Sequence, residues 1–183
     1  MEILGKDIII KYIIPHLQVE SCGKYLETDF MVEIASAILY RLKTGVQWRF
    51  LPVQCFFSSK SLTWQGVYYH FREWIKDGSW TQVWLNLLLQ HRRDLDLSCV
   101  QKEIIANIPH NPRNEKETES TNCQYFDEAL YKRRYVIERA NAWQDQFKAL
   151  IIRYESRVDT WLNLLILSFT VIFIRRINKK NKS

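Results

Sequence analysis

Two groups of side chains in this 183-residue chain combine residue type and spacing in a way that can do chemistry. Tyr131, Arg134 and Glu138 lie three and four residues apart, the spacing that puts side chains on one face of a helix. A guanidinium there can grip a phosphate, and a carboxylate beside it can hold a divalent cation. Lys132, Arg133 and Arg139 add positive charge around them. The second group, Gln65, Tyr69, Arg72 and Lys76, also follows one helical face. Gln and Arg can read base edges, whereas Lys most often meets phosphate. Spacing of this kind is equally the mark of a solvated helix face, so it does not assign a role by itself. His70 and His91 have no companions at catalytic spacing.

A hydrophobic content of 47% is enough to build a core, in one ordinary domain or two small ones, and excludes a disordered tail. The seven Trp, nine Tyr and nine Phe suit packed helices first and stacking surfaces second. The net charge of +6 is concentrated late in the chain. Residues 1–101 carry 11 basic against 10 acidic side chains, whereas 129–157 carry 7 against 3 and 158–183 carry 5 against 1. A basic surface there attracts a polyanion through counterion release, without specifying its sequence.

Cys22, Cys55, Cys99 and Cys123 form no Cys-x-x-Cys pair and have no histidine at ligand spacing, which argues against a zinc site. No secretory signal can be drawn at the N-terminus, so the thiols are expected to be reduced, in a cytoplasmic setting. From Trp161 to Ile174 the chain is almost wholly apolar, broken by Asn163, Ser168 and Thr170 and closed by Arg175 and Arg176. That run is shorter than the roughly 20 residues of a bilayer span and reads as a buried helix.

The elements that must position these groups are mostly helical. Residues 3–17 are an apolar stretch, followed by a polar connector from Gln18 to Glu27. Thr28 or Asp29 offers an N-cap, behind which Phe30, Ile34, Ile38 and Leu42 recur every four residues up to Gly45. Ser61 is the expected cap of a second helix, with Trp64, Val67, Tyr68, Phe71, Trp74 and Ile75 inward and Gly78 at its end. A third helix is expected from about Thr81 to Arg92, with Val83, Trp84, Leu87 and Leu88 inward. This succession has the size of a helix-turn-helix module.

After Val100 the pattern changes. Residues 103–108 are a strand candidate and residues 114–124 a loop. Leu130 to Arg157 reads as a helix with Tyr135, Val136, Ala142, Trp143, Phe147, Leu150 and Ile151 inward, and the run from Trp161 as a last helix. One strand cannot make a sheet, so its pairing partner is missing from the sequence.

Thr44, Gly45, Val46, Gln47, Trp48, Arg49, Phe50, Leu51 and Pro52 spell Thr-Gly-x-x-Trp-Arg-x-Leu-Pro, ahead of the Trp64–Trp74 helix and an Asp77-Gly78-Ser79-Trp80 stop. In this order, across residues 1–101, they resemble the DNA-binding region of bacterial insertion-sequence transposases of the RNase H-like DDE class. Residues 102–183 resemble the end of the same transposases, where a strand leads through Asn-Pro-Arg-Asn into a Tyr-x-x-Arg-x-x-x-Glu helix. Tyr131, Arg134 and Glu138 match that signature. The Lys that often follows the Glu by seven residues is Asp145 here, with Lys148 a turn further on.

The resemblance implies a mainly α fold. An N-terminal helix-turn-helix-like helical domain, residues 1–101, would be joined to the C-terminal remnant of an RNase H-like α/β catalytic domain, residues 102–183, comprising one strand and two helices. The strands that bear two catalytic aspartates in the family would lie between these blocks, and an in-frame loss joined near Gln101 and Lys102 accounts for their absence. In the intact family three carboxylates hold two Mg2+ ions over a phosphodiester. Only Glu138 inherits such a position, as the catalytic and metal-binding residue, with Tyr131 and Arg134 beside it on DNA. Asp94, Asp96, Asp127 and Glu128 lie on no strand that would aim them at it.

The implied function is a DNA transposase by design that has lost cleavage and strand transfer, with Mg2+ not functionally bound. The alternative is a stand-alone DNA-binding protein, or a competitor of a full-length transposase. The expected partner is DNA at insertion-sequence ends, with self-association or association with a full-length enzyme, and no membrane. Residues 1–101 are expected to carry any sequence preference, through Gln65, Tyr69, Arg72 and Lys76.

Overall fold

The apolar spacing dictates the helices. A computed structural model describes residues 3–17, 20–21, 24–57, 62–91, 128–129, 135–152 and 154–180. Helix α1 (Lys6–Tyr12) buries Ile9 and Tyr12 and is followed by a short two-stranded antiparallel ladder, β1 (Glu20–Ser21) with β2 (Lys24–Tyr25), in the segment read as a connector. Helix α2 (Thr28–Thr44) begins with Glu27 in the N-cap position, so Thr28 and Asp29 fall inside the first turn instead of capping it. Of the residues at the four-residue spacing, Ile34, Ile38 and Leu42 are buried, with Met31 and Ala35 beside them, and Phe30 is half-buried. Gly45 ends it with φ of 67°, and its N–H donates to the Arg41 carbonyl at 2.9 Å. Glycine is required there twice over, for the left-handed backbone and because a Cβ would lie 2.9 Å from the Lys148 backbone.

Helix α3 (Trp64–Lys76) is capped by Thr63, whose hydroxyl accepts from the Gly66 N–H at 3.4 Å. The cap is therefore Thr63, one residue before the helix, and not Ser61, which lies outside the described residues. Val67, Phe71 and Trp74 are buried as expected, and His70 joins them. Burial lowers the His70 pKa, partly offset by Glu73, so the imidazole is held neutral among Trp74 and its neighbours. Gly78, at φ of 75°, turns the chain directly into helix α4 (Ser79–Gln90). Asp77 secures that turn by accepting from the Ser79 N–H at 2.8 Å. Trp80, Val83 and Leu87 are the buried residues of α4, with Trp84 and Leu88 half-buried.

The C-terminal half departs from its sequence pattern. The strand candidate at 103–108 and the loop at 114–124 lie outside the described residues. Among the described residues of 130–157 there are two helices in place of one, α5 (Tyr135–Gln144) and the single turn α6 (Lys148–Ile151), followed by a non-helical segment at 154–157. The break has a cause in packing. Phe147, Ala149 and Glu155 are all buried, and α6 lies against α2, whereas on one straight helix Ala149 would face away from Phe147 and Glu155. Tyr135, Ala142 and Ile151, expected inward, are exposed.

Helix α7 (Val158–Lys180) is longer than the apolar run that announced it. By length and composition it could cross a bilayer, yet 44% of its most apolar window is buried within the protein. It packs on α4 and α3, where Leu164, Leu167, Val171 and Ile174 enter the same core cluster as Ile34, Phe71 and Val83. Phe169 and Phe173 meet Trp84 with ring centroids 6.1 and 5.8 Å apart. Thr160, Asn163, Ser168 and Thr170 each donate to a carbonyl three or four residues earlier, which leaves the buried Asn163 Oδ1 without a partner among the described residues.

A core shared in this way predicts one unfolding transition for the whole chain. Leu167→Ala removes a fully buried side chain and should cost about 2–5 kcal/mol. Circular dichroism and tryptophan fluorescence should lose signal together on heating. Two separated transitions, with only one shifted by the substitution, would show that the α7 side folds as an independent unit.

Candidate nucleic-acid interface

The outward face of α3 carries the four residues singled out by spacing. Gln65, Tyr69 and Lys76 are exposed and Arg72 is half-buried. Together with Trp64 and Tyr68 they line an open depression of about 370 Å3. Arg72 stands with its guanidinium 6.0 Å from the centre of the Tyr68 ring, a cation–π distance that stiffens it without consuming its hydrogen-bond donors. Lys76 pairs with Glu73 one turn earlier at 2.5 Å, with the Lys side chain 60% exposed. Exposed pairs of this kind contribute little and are readily exchanged for a phosphate.

A second depression of about 270 Å3 adjoins the first through Trp64 and is lined by Gln47, Trp48, Arg49 and Tyr154. Its floor explains the Thr-Gly-x-x-Trp-Arg element. Gly45 turns the chain off α2, a short 3-10 turn (Trp48–Phe50) follows, and Trp48 packs on Tyr68 and Phe71 with centroids 5.0 and 5.4 Å away. Arg49 is left exposed. The Trp48 indole N–H donates to Glu155 Oε1 at 2.8 Å.

Glu155 is the pivot of this arrangement. The same Oε1 accepts a hydrogen bond from Arg41 Nη2, an ion pair in which Arg41 is fully buried. The Arg41 guanidinium also lies over the Trp48 ring, 4.7 Å from its centroid. Burial lowers the Arg41 pKa, and the Glu155 carboxylate acts in the opposite sense. Sequence reasoning missed this cluster. Its signal was Arg41 itself, a charge three residues after Ile38 on the apolar stripe of α2, where a partner has to be found elsewhere in the chain.

Positive charge gathers at a second place. Lys43 at the end of α2 has its pKa lowered by burial and by the charges of Arg175 and Lys148, and its ammonium lies 5.6 Å from the Phe147 ring centre. Two of the late basic residues, Lys148 and Arg175, therefore lie near the end of α2.

The catalytic signature fares differently. Glu138 is exposed in the first turn of α5, while Tyr131 and Arg134 lie outside the described residues. Among the described residues no three His, Cys, Asp or Glu side chains come together as a metal site would require.

Residues 9–84 match the family described as "Putative transposase of IS4/5 family". The matched segment runs from α1 into α4 and contains both the Thr44–Pro52 element and the α3 face. It supports an insertion-sequence transposase. Curated proteins and solved structures give no match.

The Arg41–Glu155 pair should behave as a coupled unit. Glu155→Ala leaves a buried guanidinium uncompensated, at a cost of about 3–5 kcal/mol. In a double-mutant cycle with Arg41→Ala, the double variant should lose less than the sum of the singles, with a coupling of roughly 0.5–3 kcal/mol. Additive losses in urea unfolding would contradict the pairing.

Proposed function

We propose that this protein is a DNA-binding protein built from an insertion-sequence transposase of the RNase H-like DDE class, shortened internally so that its catalytic centre is lost. The observation that carries the reading is the α3 face. Within the segment similar to transposases, Gln65, Tyr69, Arg72 and Lys76 line one open depression on a helix that follows a capped turn and leads through a tight glycine turn into α4. Helix–turn–helix proteins offer a helix to the major groove in this way, with a neighbouring helix bracing it.

The division of labour follows from the side chains. Arg72 and Gln65 have donors and acceptors for base edges, Lys76 is a mobile charge for the backbone, and Tyr69 supplies a hydroxyl and a flat apolar face. The DNA is the end of an insertion sequence, and a full-length transposase or a second copy of this chain is the further partner. A chain with DNA affinity and without a cutting centre would occupy the ends and compete with an active enzyme. Glu138 is the inherited catalytic acid, now without the two aspartates that would share Mg2+ with it. The expected setting is the cytoplasm, with α7 serving as a core helix and not as an anchor.

A labelled inverted-repeat duplex tests this reading. Arg72→Ala should cost about 1–3 kcal/mol and relax discrimination among sequences, whereas Lys76→Ala should weaken all duplexes alike and lower the salt slope by about one. No cleavage or strand transfer is expected with Mg2+ or Mn2+. A metal-dependent cut abolished by Glu138→Gln would overturn the loss of catalysis, and unchanged binding in both α3 variants would leave α3 a purely structural helix.

A further inference from the structure

The two depressions share Trp64, and only one of their walls comes from the α3 neighbourhood. The other is Tyr154, which arrives from 90 residues beyond Trp64 along the chain. Burial alternates through this segment: Tyr154 is exposed, Glu155 buried and Ser156 exposed. Glu155 is thus fastened inward to Arg41 and Trp48 while its neighbour Tyr154 stands outward. Tyr154 is 52% exposed, beside Arg49 and Trp64.

Two residues on, Arg157 donates from Nη2 to Asp159 Oδ2 at 2.7 Å, and both side chains are about half exposed. Asp159 lies in the first turn of α7, the helix that packs on α3. The C-terminal segment therefore brings an aromatic ring, a guanidinium and a carboxylate up to the α3 face.

We propose that the DNA-binding surface is composite: Tyr154 and Arg157 complete the α3 face and contact the same duplex, with Asp159 as an internal counter-charge that tempers its affinity. This rests on the DNA-binding reading of α3 and extends it to a part of the chain beyond the matched residues 9–84. The chemistry is simple. A phosphate arriving at Arg157 replaces the Asp159 carboxylate as hydrogen-bond acceptor, and Tyr154 gives the sugar–phosphate edge a ring and a hydroxyl to pack on. Glu155 is a positioning residue. It touches no DNA and acts by holding Tyr154 outward.

The test is fluorescence anisotropy of the full-length protein with a fluorescein-labelled mixed-sequence duplex, over a series of salt concentrations. Arg157→Ala should weaken binding several-fold and lower the salt slope by about one. Arg157→Lys should keep the slope, which separates loss of charge from any loss of fold. Tyr154→Ala should weaken binding with the slope unchanged. Asp159→Asn should tighten binding, a change of sign that a merely structural role at the start of α7 would not give. If Arg72→Ala weakens binding while Arg157→Ala and Tyr154→Ala leave it unchanged, the composite surface is wrong and the α3 reading stands. Failure of all three to alter binding would remove the α3 reading itself.

Discussion

A guanidinium buried on the apolar stripe of a helix must find a carboxylate, and the organisation of this protein follows from how Arg41 finds one. Removing such a charge from water costs several kcal/mol even after the surroundings relax. The compensating Glu155 lies 114 positions away in the sequence, so the pair fixes a long-range contact between α2 and the chain before α7. Trp48 is drawn into the same cluster by its indole N–H and by the guanidinium over its ring. One carboxylate oxygen thereby locks three segments together, and the Trp48 ring carries that order directly to Tyr68 and Phe71 on α3.

The consequence is that the exposed side of α3 is presented by a rigid support. Below it are Val67, Phe71 and Trp74 in the core; beside it are the 3-10 turn at Trp48 and the segment at Tyr154. Helix α7 closes the other side by packing on α4, so the two halves of the chain share one hydrophobic cluster. Side chains that approach DNA from several segments keep their relative positions only if such a core holds them, since ordering them on binding would cost free energy.

Helices α2, α3 and α4 were legible in the sequence because their burial repeats at three- and four-residue spacing and their ends carry glycine in the left-handed conformation at Gly45 and Gly78. The α3 face was legible for the same reason, as the polar complement of a buried stripe. The break between α5 and α6 was not. Phe147 and Glu155 are buried by contact with α2, and local period carries no information about a contact that distant. The apolar run at Trp161–Ile174 was legible as a buried helix, but not which of its sides is buried. Its buried serine, threonine and asparagine bond to their own backbone, so the helix buries a stripe with polar members and leaves Leu162 and Phe169 partly exposed. The Tyr131–Arg134–Glu138 signature was recognised by resemblance alone, and of its three residues only Glu138, exposed on α5, falls among those described.

Amide hydrogen exchange of the full-length protein, with and without an inverted-repeat duplex, tests the central claim that α3 and the segments locked beside it form one DNA-binding surface. The account predicts that DNA slows exchange in residues 64–76 together with 47–49 and 154–157. Protection confined to α1 or α5, with residues 64–76 unchanged, would contradict it.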